Sequence, residues 1–422
     1  MRGSEVVITG MGVVSPIGIG REAFWAALVS GQSGVRRMEL VDPSSLPSPL
    51  AAEVRDFDPR AYVVNRKSLK VMSRDAQLGM AAAALACRDA GLAPGAVDPD
   101  RFGVVLGAAR ICNPLEESQR TYGACMVGSR FDFGLWGTRA VAASFPLGFL
   151  RVCPNMIASH ISIAHDARGP NNTIHQTEVS SVLALGEAAG VIRRGAADVM
   201  LAGGASSEMH IFDCVRRCVM GILSPRQEDP ASVVRPFDAC RDGQVWGEGA
   251  AIFVLESRRH AEARRAGIHA RILACASTCE AAAHNGSPRG LSIRRAVRLA
   301  LAQAGLRPAD LGHVNAHGLS TIRDDRIEAH AIRDTLPTVP VTALKSYFGN
   351  LGAAGAAMEI AASVLSFSHA QVPPTLNYEQ PDPECPIQVI HGAPLACRAA
   401  AALSLTWLPA GQAAAIVLAP AE

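Results

Sequence analysis

The amino-acid sequence predicts an α/β protein in which helices cover both faces of largely parallel sheets. Short β-branched runs alternate with longer alanine-rich segments along the 422 residues, which is the pattern of βαβ units. The runs at 104–107, 199–204 and 251–255 are apolar at almost every position, as in strands that are buried on both faces. Hydrophobic residues make up 49% of the chain and charged residues 18%, so we expect a well-buried globular protein.

The amino-terminal segment is the first predicted strand. Residues 6–16 read VVITGMGVVSP, an apolar strand that we expect to end in a glycine turn. A Gly-Xaa-Gly turn also occurs in dinucleotide-binding loops, where an acidic residue follows about 20 positions later and a helix begins at once. Here that acidic residue is missing and Pro16 interrupts the helix start, so no nucleotide cofactor is predicted.

A charged helix predicted at 257–266 separates two series of strands. The second series is predicted at 270–274, Val314, 341–343 and 414–418. The chain also exceeds the usual length of roughly 100 to 200 residues per domain. We therefore predict an amino-terminal domain at 1–256 and a carboxy-terminal domain at 257–422.

Composition argues against several classes of protein. A net charge of +2 gives no reason to expect nucleic acid or a charged membrane surface as a partner. The eleven cysteines are an odd number without metal-ligand spacing, and no charged-then-apolar leader precedes Val6. The longest apolar stretches, such as 80–86 and 353–365, are too short or too interrupted to span a bilayer. We expect a cytoplasmic protein without a bound metal or cofactor.

The most informative segment lies at residues 169–181, which read GPNNTIHQTEVSS. The alanine-rich stretch 184–190 follows it, so the sequence predicts a strand, a tight turn at Glu178 and then a buried helix. Backbone N–H groups at the start of a helix favour a negative charge at such a position.

Three glycine-rich motifs follow this segment. They are PFD, RDG and GEGA within residues 236–250, VNAHGLST at 314–321 with Asp325 and Glu328 after it, and KSYFGNLGAAG at 345–355. The second motif contains His317, and the third contains Lys345 and Asn350.

Together, these motifs resemble those of the β-ketoacyl synthases of the thiolase superfamily over nearly the whole chain. The resemblance implies a thiolase-like fold, with duplicated βαβαβαββ halves in a layered α/β/α/β/α arrangement. It also implies that the first half contributes the turn at Glu178, while the second contributes His317, Lys345 and Asn350. Members of the family have a nucleophilic cysteine where this chain has Glu178 and a second histidine where it has Asn350.

Condensation by this family needs a cysteine thiolate at a helix amino terminus and two histidines that polarise a malonyl thioester. Glu178 cannot form the thioester, and Asn350 cannot carry a proton, although its amide can still donate a hydrogen bond. A third departure is LTWLPAG at 405–411, where family members have a glycine-rich turn with a gating phenylalanine. Pro409 fixes the backbone there, so we expect the gating movement to be lost. Three departures predict that condensation is lost.

Two interpretations of Glu178 remain open. It is either a remnant of lost catalysis that pairs with His317 or Lys345, or a negative group that shapes the pocket. His317 is similarly either part of the site or retained for folding, because Ser320, Thr321 and Asp325 can organise a loop.

The leading functional hypothesis is a non-condensing subunit that resembles the chain-length factors of type II polyketide and fatty acid systems. Such a subunit pairs with an active ketosynthase as a heterodimer and bounds the tunnel for a chain held on the phosphopantetheine of an acyl carrier protein. We expect the contact to lie at the strand near 169–176 and the loops before it, including 112–153. Self-pairing as a homodimer is the other possibility.

Two enzymatic alternatives stay open. The chain could be a malonyl-carrier decarboxylase of the initiating-ketosynthase kind, but a malonyl carboxylate roughly 4 Å from ionised Glu178 would be repelled by about 4 kcal/mol at an effective dielectric constant near 20. Glu178 could instead be a general base in hydrolysis or dehydration, for which the sequence offers no specific partner. The sequence does not indicate the acyl chain or its length.

Overall fold

The computed structural model describes residues 5–44, 46–281, 289–397 and 400–422. The strands up to residue 257 are β1 (Val6–Ser15), β2 (Gly18–Ile19), β3 (Arg36–Arg37), β4 (Leu50–Ala52), β5 (Phe102–Ala108), β6 (Met126–Val127), β7 (Arg130–Phe131), β8 (Asn171–His175), β9 (Val199–Ser207) and β10 (Trp246–Ser257). The helices in this part and at its end are α1 (Arg21–Val29), α2 (Arg74–Asp89), α3 (Leu115–Gly123), α4 (Val141–Ala143), α5 (Gly148–Val152), α6 (Met156–His165), α7 (Ser180–Arg193), α8 (Ile211–Met220) and α9 (Arg258–Ala263).

A second series of elements follows α9. Its strands are β11 (Ala270–Cys279), β12 (Leu311–Asn315), β13 (Val341–Thr342), β14 (Gln371–Val372), β15 (Leu395–Ala396), β16 (Ala401–Trp407) and β17 (Gln412–Pro420). Its helices are α10 (Leu291–Ala304), α11 (Ile322–Thr335), α12 (Lys345–Phe348) and α13 (Gly355–His369).

The two series have the same strand order. In the first series the order across the sheet is β8-β5-β9-β10-β1, and in the second it is β13-β12-β16-β17-β11. Numbered along each series, both orders are 3-2-4-5-1. The two sets meet where β1 and β11 pair in antiparallel fashion at Val6–Ile8. The duplicated βαβαβαββ arrangement is therefore confirmed.

Helices form three layers around these strands. α2 and α6 pack on the outer face of the first set, and α10 packs with α11 on the outer face of the second. α7 and α13 lie between the sets and contact strands of both. Residues 355–366 of α13 are all buried, in keeping with the mainly apolar sequence of this helix, and Glu359 is the single charged residue among them. The predicted α/β/α/β/α layering is confirmed.

Most predicted elements are present, with shifted ends. The predicted central strands lie within β5, β9 and β10, which are buried almost throughout as expected. The charged helix is shorter than the predicted 257–266: it is α9, and the side chain of Ser257 caps its start. The prediction that the amino-terminal strand, in residues 6–16, ends in a glycine turn was wrong, because β1 continues through Gly10 and Gly12 to Ser15.

The division into two domains, at residues 1–256 and 257–422, stays a prediction. Hydrogen bonds between β1 and β11 join the two series of strands. Within the described residues, none of the helices combines the length and the apolar character needed to cross a lipid bilayer.

Gly12 offers a test of how closely β1 packs on α2. A Cβ at this position would lie 1.9 Å from the carbonyl oxygen of Ala82. We expect Gly12→Ala to lower the free energy of unfolding by roughly 1 to 3 kcal/mol or more, because backbone atoms cannot move aside cheaply. Gly123→Ala, which meets open space in α3, should change it by less than about 0.5 kcal/mol. Equal denaturation midpoints for the two variants would contradict this packing.

Candidate functional site

The candidate site lies at the carboxyl ends of parallel strands. β5, β8 and β9 run parallel, so their carboxyl ends meet at one edge, which is where α/β proteins commonly bind ligands. After β8 the chain makes a short 3-10 turn at Thr177–Val179 and enters α7. Thr177 has a φ of 45°, a left-handed conformation that is uncommon for a residue other than glycine. Glu178 is half-buried at this turn, at the start of α7.

Glu178 is held by Asn350. The Asn350 amide nitrogen donates to Glu178 Oε1 at 3.2 Å and to Gln244 Oε1 at 3.0 Å. The Asn350 Oδ1 accepts from the backbone N–H of Gly352 at 3.1 Å. Two of the three departures from the ketosynthase motifs, Glu178 and Asn350, are thus bonded to each other, and both hydrogens of the Asn350 amide are already used.

The expected pairing of Glu178 with His317 or Lys345 is not what the structure shows. Lys345 is fully buried, and its ammonium group lies 2.5 Å from Glu359 Oε1 on α13 and 3.0 Å from His317 Nδ1. Burial raises the pKa of Glu359 to about 7, against the opposing effect of the Lys345 charge. Lys345 is therefore committed to a carboxylate other than Glu178.

His317 is a neutral imidazole. Burial, and then the Lys345 charge, lower its pKa well below the usual value. Its Nδ1 accepts from Lys345 and lies 3.3 Å from Thr406 Oγ1, whose hydroxyl is also 3.2 Å from the carbonyl oxygen of Glu178. Its Nε2 has no partner among the described residues. His317 thus keeps one N–H that can donate to a carbonyl oxygen.

The residues after His317 organise its loop. Backbone N–H groups of His317 and Gly318 donate to the two oxygens of Glu328 at 2.7 and 2.8 Å. The Asp325 carboxylate accepts from the Phe237 N–H at 2.9 Å, and Ser320 Oγ accepts from Arg235 N at 3.0 Å. These contacts tie the histidine motif to the 236–250 block and give His317 a defined position.

The turn at 405–411 is closed by two backbone hydrogen bonds. Leu408 N donates to Gln412 O at 2.7 Å, and Gly411 N donates to Leu408 O at 2.8 Å. Gly411 has a φ of 104°, and a Cβ there would lie 2.3 Å from the carbonyl oxygen of Glu280. The expectation that this turn has lost its gating movement remains a prediction.

Sequence reasoning missed a group of charged residues beside this site. Arg217 and Asp213 of α8 are both buried, and Arg217 pairs with Glu208, which directly follows β9. Asp213 also binds Arg110, which lies just beyond the end of β5. The four-residue spacing of Asp213 and Arg217 places them on one helix face, but spacing alone cannot show that this face is the inner one.

Three potential metal ligands also lie here. Ligand atoms of Cys112, His210 and Asp213 are within 4.8 Å of one another. However, His210 Nδ1 accepts from Phe212 N at 3.2 Å and its Nε2 donates to Asn113 O at 2.9 Å. Asp213 is paired with two arginines. Protein contacts already use these groups, so the cluster does not support a metal site.

A cavity of about 190 Å³ adjoins the charged group. Its polar lining includes Asp75, Cys112, Arg151, Ser207 and His210. Burial raises the pKa of Asp75 to about 7, although the Ser207 N–H favours the charged form. The interior at the ends of β5 and β9 therefore contains several polar and charged groups among apolar ones.

Comparison with known proteins agrees with this geometry. Residues 3–261 match the family model of the β-ketoacyl synthase amino-terminal domain, and residues 269–379 match that of the carboxy-terminal domain. The chain belongs to the β-ketoacyl synthase family.

Relatives and solved structures cover nearly all of this ketosynthase-like chain. The tetracenomycin polyketide synthase ketoacyl synthase alpha subunit of Streptomyces glaucescens is 35% identical, over 92% of this chain and 90% of the relative. The ishigamide ketosynthase/chain length factor superposes with a TM-score of 0.87 at 30% identity and covers 100% of both chains. A complex named AntDE:AntF, a type II polyketide acyl-carrier protein with its ketosynthase bound to the hexaketide, matches with a TM-score of 0.84 at 28% identity, covering 99% of this chain and 100% of the other.

The Lys345–Glu359 pair gives a prediction for stability. Lys345→Met should lower the free energy of unfolding by about 3 to 5 kcal/mol, because it leaves Glu359 buried without its partner. The loss should grow as the pH rises above about 7, the pKa of Glu359 in the wild-type fold, because the folded variant then still holds a proton on Glu359 that the folded wild type and the unfolded chain have released.

Lys345→Met combined with Glu359→Gln is the matched control and should recover most of the loss. Denaturant unfolding at several pH values provides the measurement. A double variant that is no more stable than Lys345→Met would show that the pair is not what makes Lys345 necessary.

Proposed function

We propose that this chain is a non-condensing ketosynthase-like subunit, similar to a chain-length factor. It pairs with an active β-ketoacyl synthase in the cytoplasm and helps to bound the tunnel for a polyketide or fatty acyl chain held on the phosphopantetheine of an acyl carrier protein. The observation that carries the proposal is the hydrogen bond between Glu178 and Asn350, because it joins the replaced nucleophile to the replaced second histidine.

The chemistry at the turn supports loss of condensation. A carboxylate that attacks an acyl thioester gives a mixed anhydride, which is more reactive than the starting thioester and does not accumulate. From the sequence, the Asn350 amide was expected to be able to donate a hydrogen bond to a substrate. Its two hydrogens are instead donated to Glu178 and Gln244. Of the thiolate and the two histidines that condensation requires, only His317 is present, and its Nε2 has no partner among the described residues.

The surface supports pairing with a second subunit. β8 is the last strand on its side of the sheet, and in the described part of the chain no strand pairs with its outer edge. Such an edge is a template for another chain. The segment before it exposes several large apolar side chains, an arrangement typical of interaction surfaces. They are Tyr122, Met126, Val127, Phe131, Phe133, Val141, Leu147 and Phe149.

The nature of the partners is inferred from similar proteins. One matched structure is described as a ketosynthase/chain length factor, and another as a ketosynthase with an acyl-carrier protein. Those descriptions favour a ketosynthase as the pairing subunit and a carrier protein as the source of the acyl chain.

One observation favours a second candidate, decarboxylation of a malonyl group on a carrier protein. The free Nε2 of neutral His317 could donate to the thioester carbonyl as charge develops. Glu178 opposes this candidate, because its carboxylate would lie near that of the malonyl group. Release of CO₂ from malonyl carrier protein by the purified chain, at a rate abolished by His317→Ala, would favour decarboxylation over the proposal.

Restoring the thiol alone should restore little activity. We expect Glu178→Cys, assayed with acyl and malonyl carrier proteins, to reach less than about 1% of the turnover of an active ketosynthase, because residues that act as a unit do not contribute additively. The turnover of the double variant, Glu178→Cys with Asn350→His, should exceed the value obtained by multiplying the separate effects of the two changes. Substantial turnover by Glu178→Cys alone would show that the rest of the site is intact.

Pairing can be tested by co-expression with an intact ketosynthase from a neighbouring gene. Size-exclusion chromatography with mass measurement should give a one-to-one heterodimer. Phe133 is 75% exposed and Val64 fully exposed, so neither change to Asp disturbs the core. We expect Phe133→Asp to weaken the heterodimer by about tenfold or more, as for a central aromatic of an interface, and Val64→Asp to leave it unchanged.

Two separate homodimers, with full product formation by the partner alone, would refute the proposed role. An intact heterodimer with Phe133→Asp would instead place the contact elsewhere on the chain.

A further inference from the structure

Helix α8 exposes its apolar face and buries charged residues, the reverse of the usual arrangement of a surface helix. Its exposed side carries large apolar residues, namely Phe212, Val215, Val219 and Met220. Its buried side carries Asp213 and Arg217, each with only 4% of its side chain exposed. A surface helix normally buries its apolar stripe, so something inside the protein must hold these charges.

The partners of Arg217 are all buried. Its Nη2 lies 2.7 Å from Glu208 Oε2, and its Nη1 lies 3.7 Å from Asp213 Oδ1. The guanidinium carbon sits 3.2 Å from the centre of the Trp246 ring, so the cation is stacked on an aromatic face. Asp213 also forms an ion pair with Arg110 and accepts a hydrogen bond from the Cys112 thiol. Arg217 is thus the centre of a buried network of charges.

This network adjoins the turn at Glu178. A Cβ on Gly352 would lie 2.8 Å from Glu208 Oε1, which places the carboxylate directly against that backbone. Gly352 N binds the side chain of Asn350, and Asn350 holds Glu178. Trp246, under the guanidinium, also forms a backbone bridge with Asn350.

We infer that Arg217, fixed by Glu208 and Asp213, is a specificity-determining residue that closes the interior beside Glu178 to an alkyl or acyl chain. A chain entering there would have to separate buried ion pairs, and an unpaired buried charge costs more than the burial of a few methylene groups gains. The inference goes beyond the proposed function, because it concerns this chain alone and holds whether or not a partner binds. Even with a thiol at residue 178, the chain would accept small groups and reject long ones.

Alkylation of a thiol introduced at residue 178 tests the inference. In Glu178→Cys, the thiolate displaces iodide from iodoacetamide, or from its N-octyl or N-dodecyl derivative, and forms a thioether. Rates are followed by peptide mapping, because the chain has eleven other cysteines. The exposed Cys279 in the same sample gives the intrinsic reactivity of each reagent.

Relative to Cys279, we expect residue 178 to react at least about tenfold more slowly with the N-dodecyl reagent than with iodoacetamide, because the long chain meets buried charge. Adding Glu208→Leu and Arg217→Leu together should remove most of that difference. Replacing both members of a buried pair with apolar residues is often tolerated, whereas removing one is not. Arg216→Leu, at an exposed position on the same helix, is the matched control and should leave the difference unchanged.

Equal relative rates for short and long reagents in Glu178→Cys would overturn the inference, and this outcome does not depend on whether the triple variant folds. Persistence of the chain-length difference in a folded triple variant, checked by circular dichroism, would also overturn it.

Discussion

The hydrogen bond from Asn350 to Glu178 joins the two halves of the fold at the point where chemistry would occur. Glu178 is fixed by the turn between β8 and α7 in the first half, and Asn350 lies just before α13 in the second. A carboxylate at a helix amino terminus is stabilised by about 0.3 to 1 kcal/mol, and a charge-assisted hydrogen bond adds to this. The same contact uses up the amide that could otherwise serve a substrate. This hydrogen bond is thus the structural basis of the proposed loss of condensation.

Burial of charge explains why His317 and Lys345 persist around this contact. Lys345, Glu359 and His317 form one buried group, and loss of one member would leave another without its partner. Glu328 and Asp325 bind backbone N–H groups of the loop and of the neighbouring block. These side chains have a structural reason to remain when condensation is absent. The histidine and lysine motifs can therefore be retained by a chain that has lost the nucleophile.

The sequence predicted the fold and the residues of the site better than it predicted which of those residues bind each other. Buried strands and the motifs around Glu178, His317, Lys345 and Asn350 are local patterns, so they could be located without the structure. The partner of Glu178 could not be predicted, because His317, Lys345 and Asn350 were all chemically able to bind it. The reversed helix α8 was missed for a related reason: Asp213 and Arg217 follow ordinary helical spacing, and only the positions of Glu208 and Arg110 make their face the inner one.

Mass spectrometry of the purified chain shows whether the turn at Glu178 still carries an acyl group. The purified protein is incubated with an acyl carrier protein thioester, and its intact mass and the peptide that contains Glu178 are then measured. We expect an unmodified peptide under conditions in which an intact ketosynthase is fully acylated. An acyl adduct mapped to Glu178 would contradict this expectation.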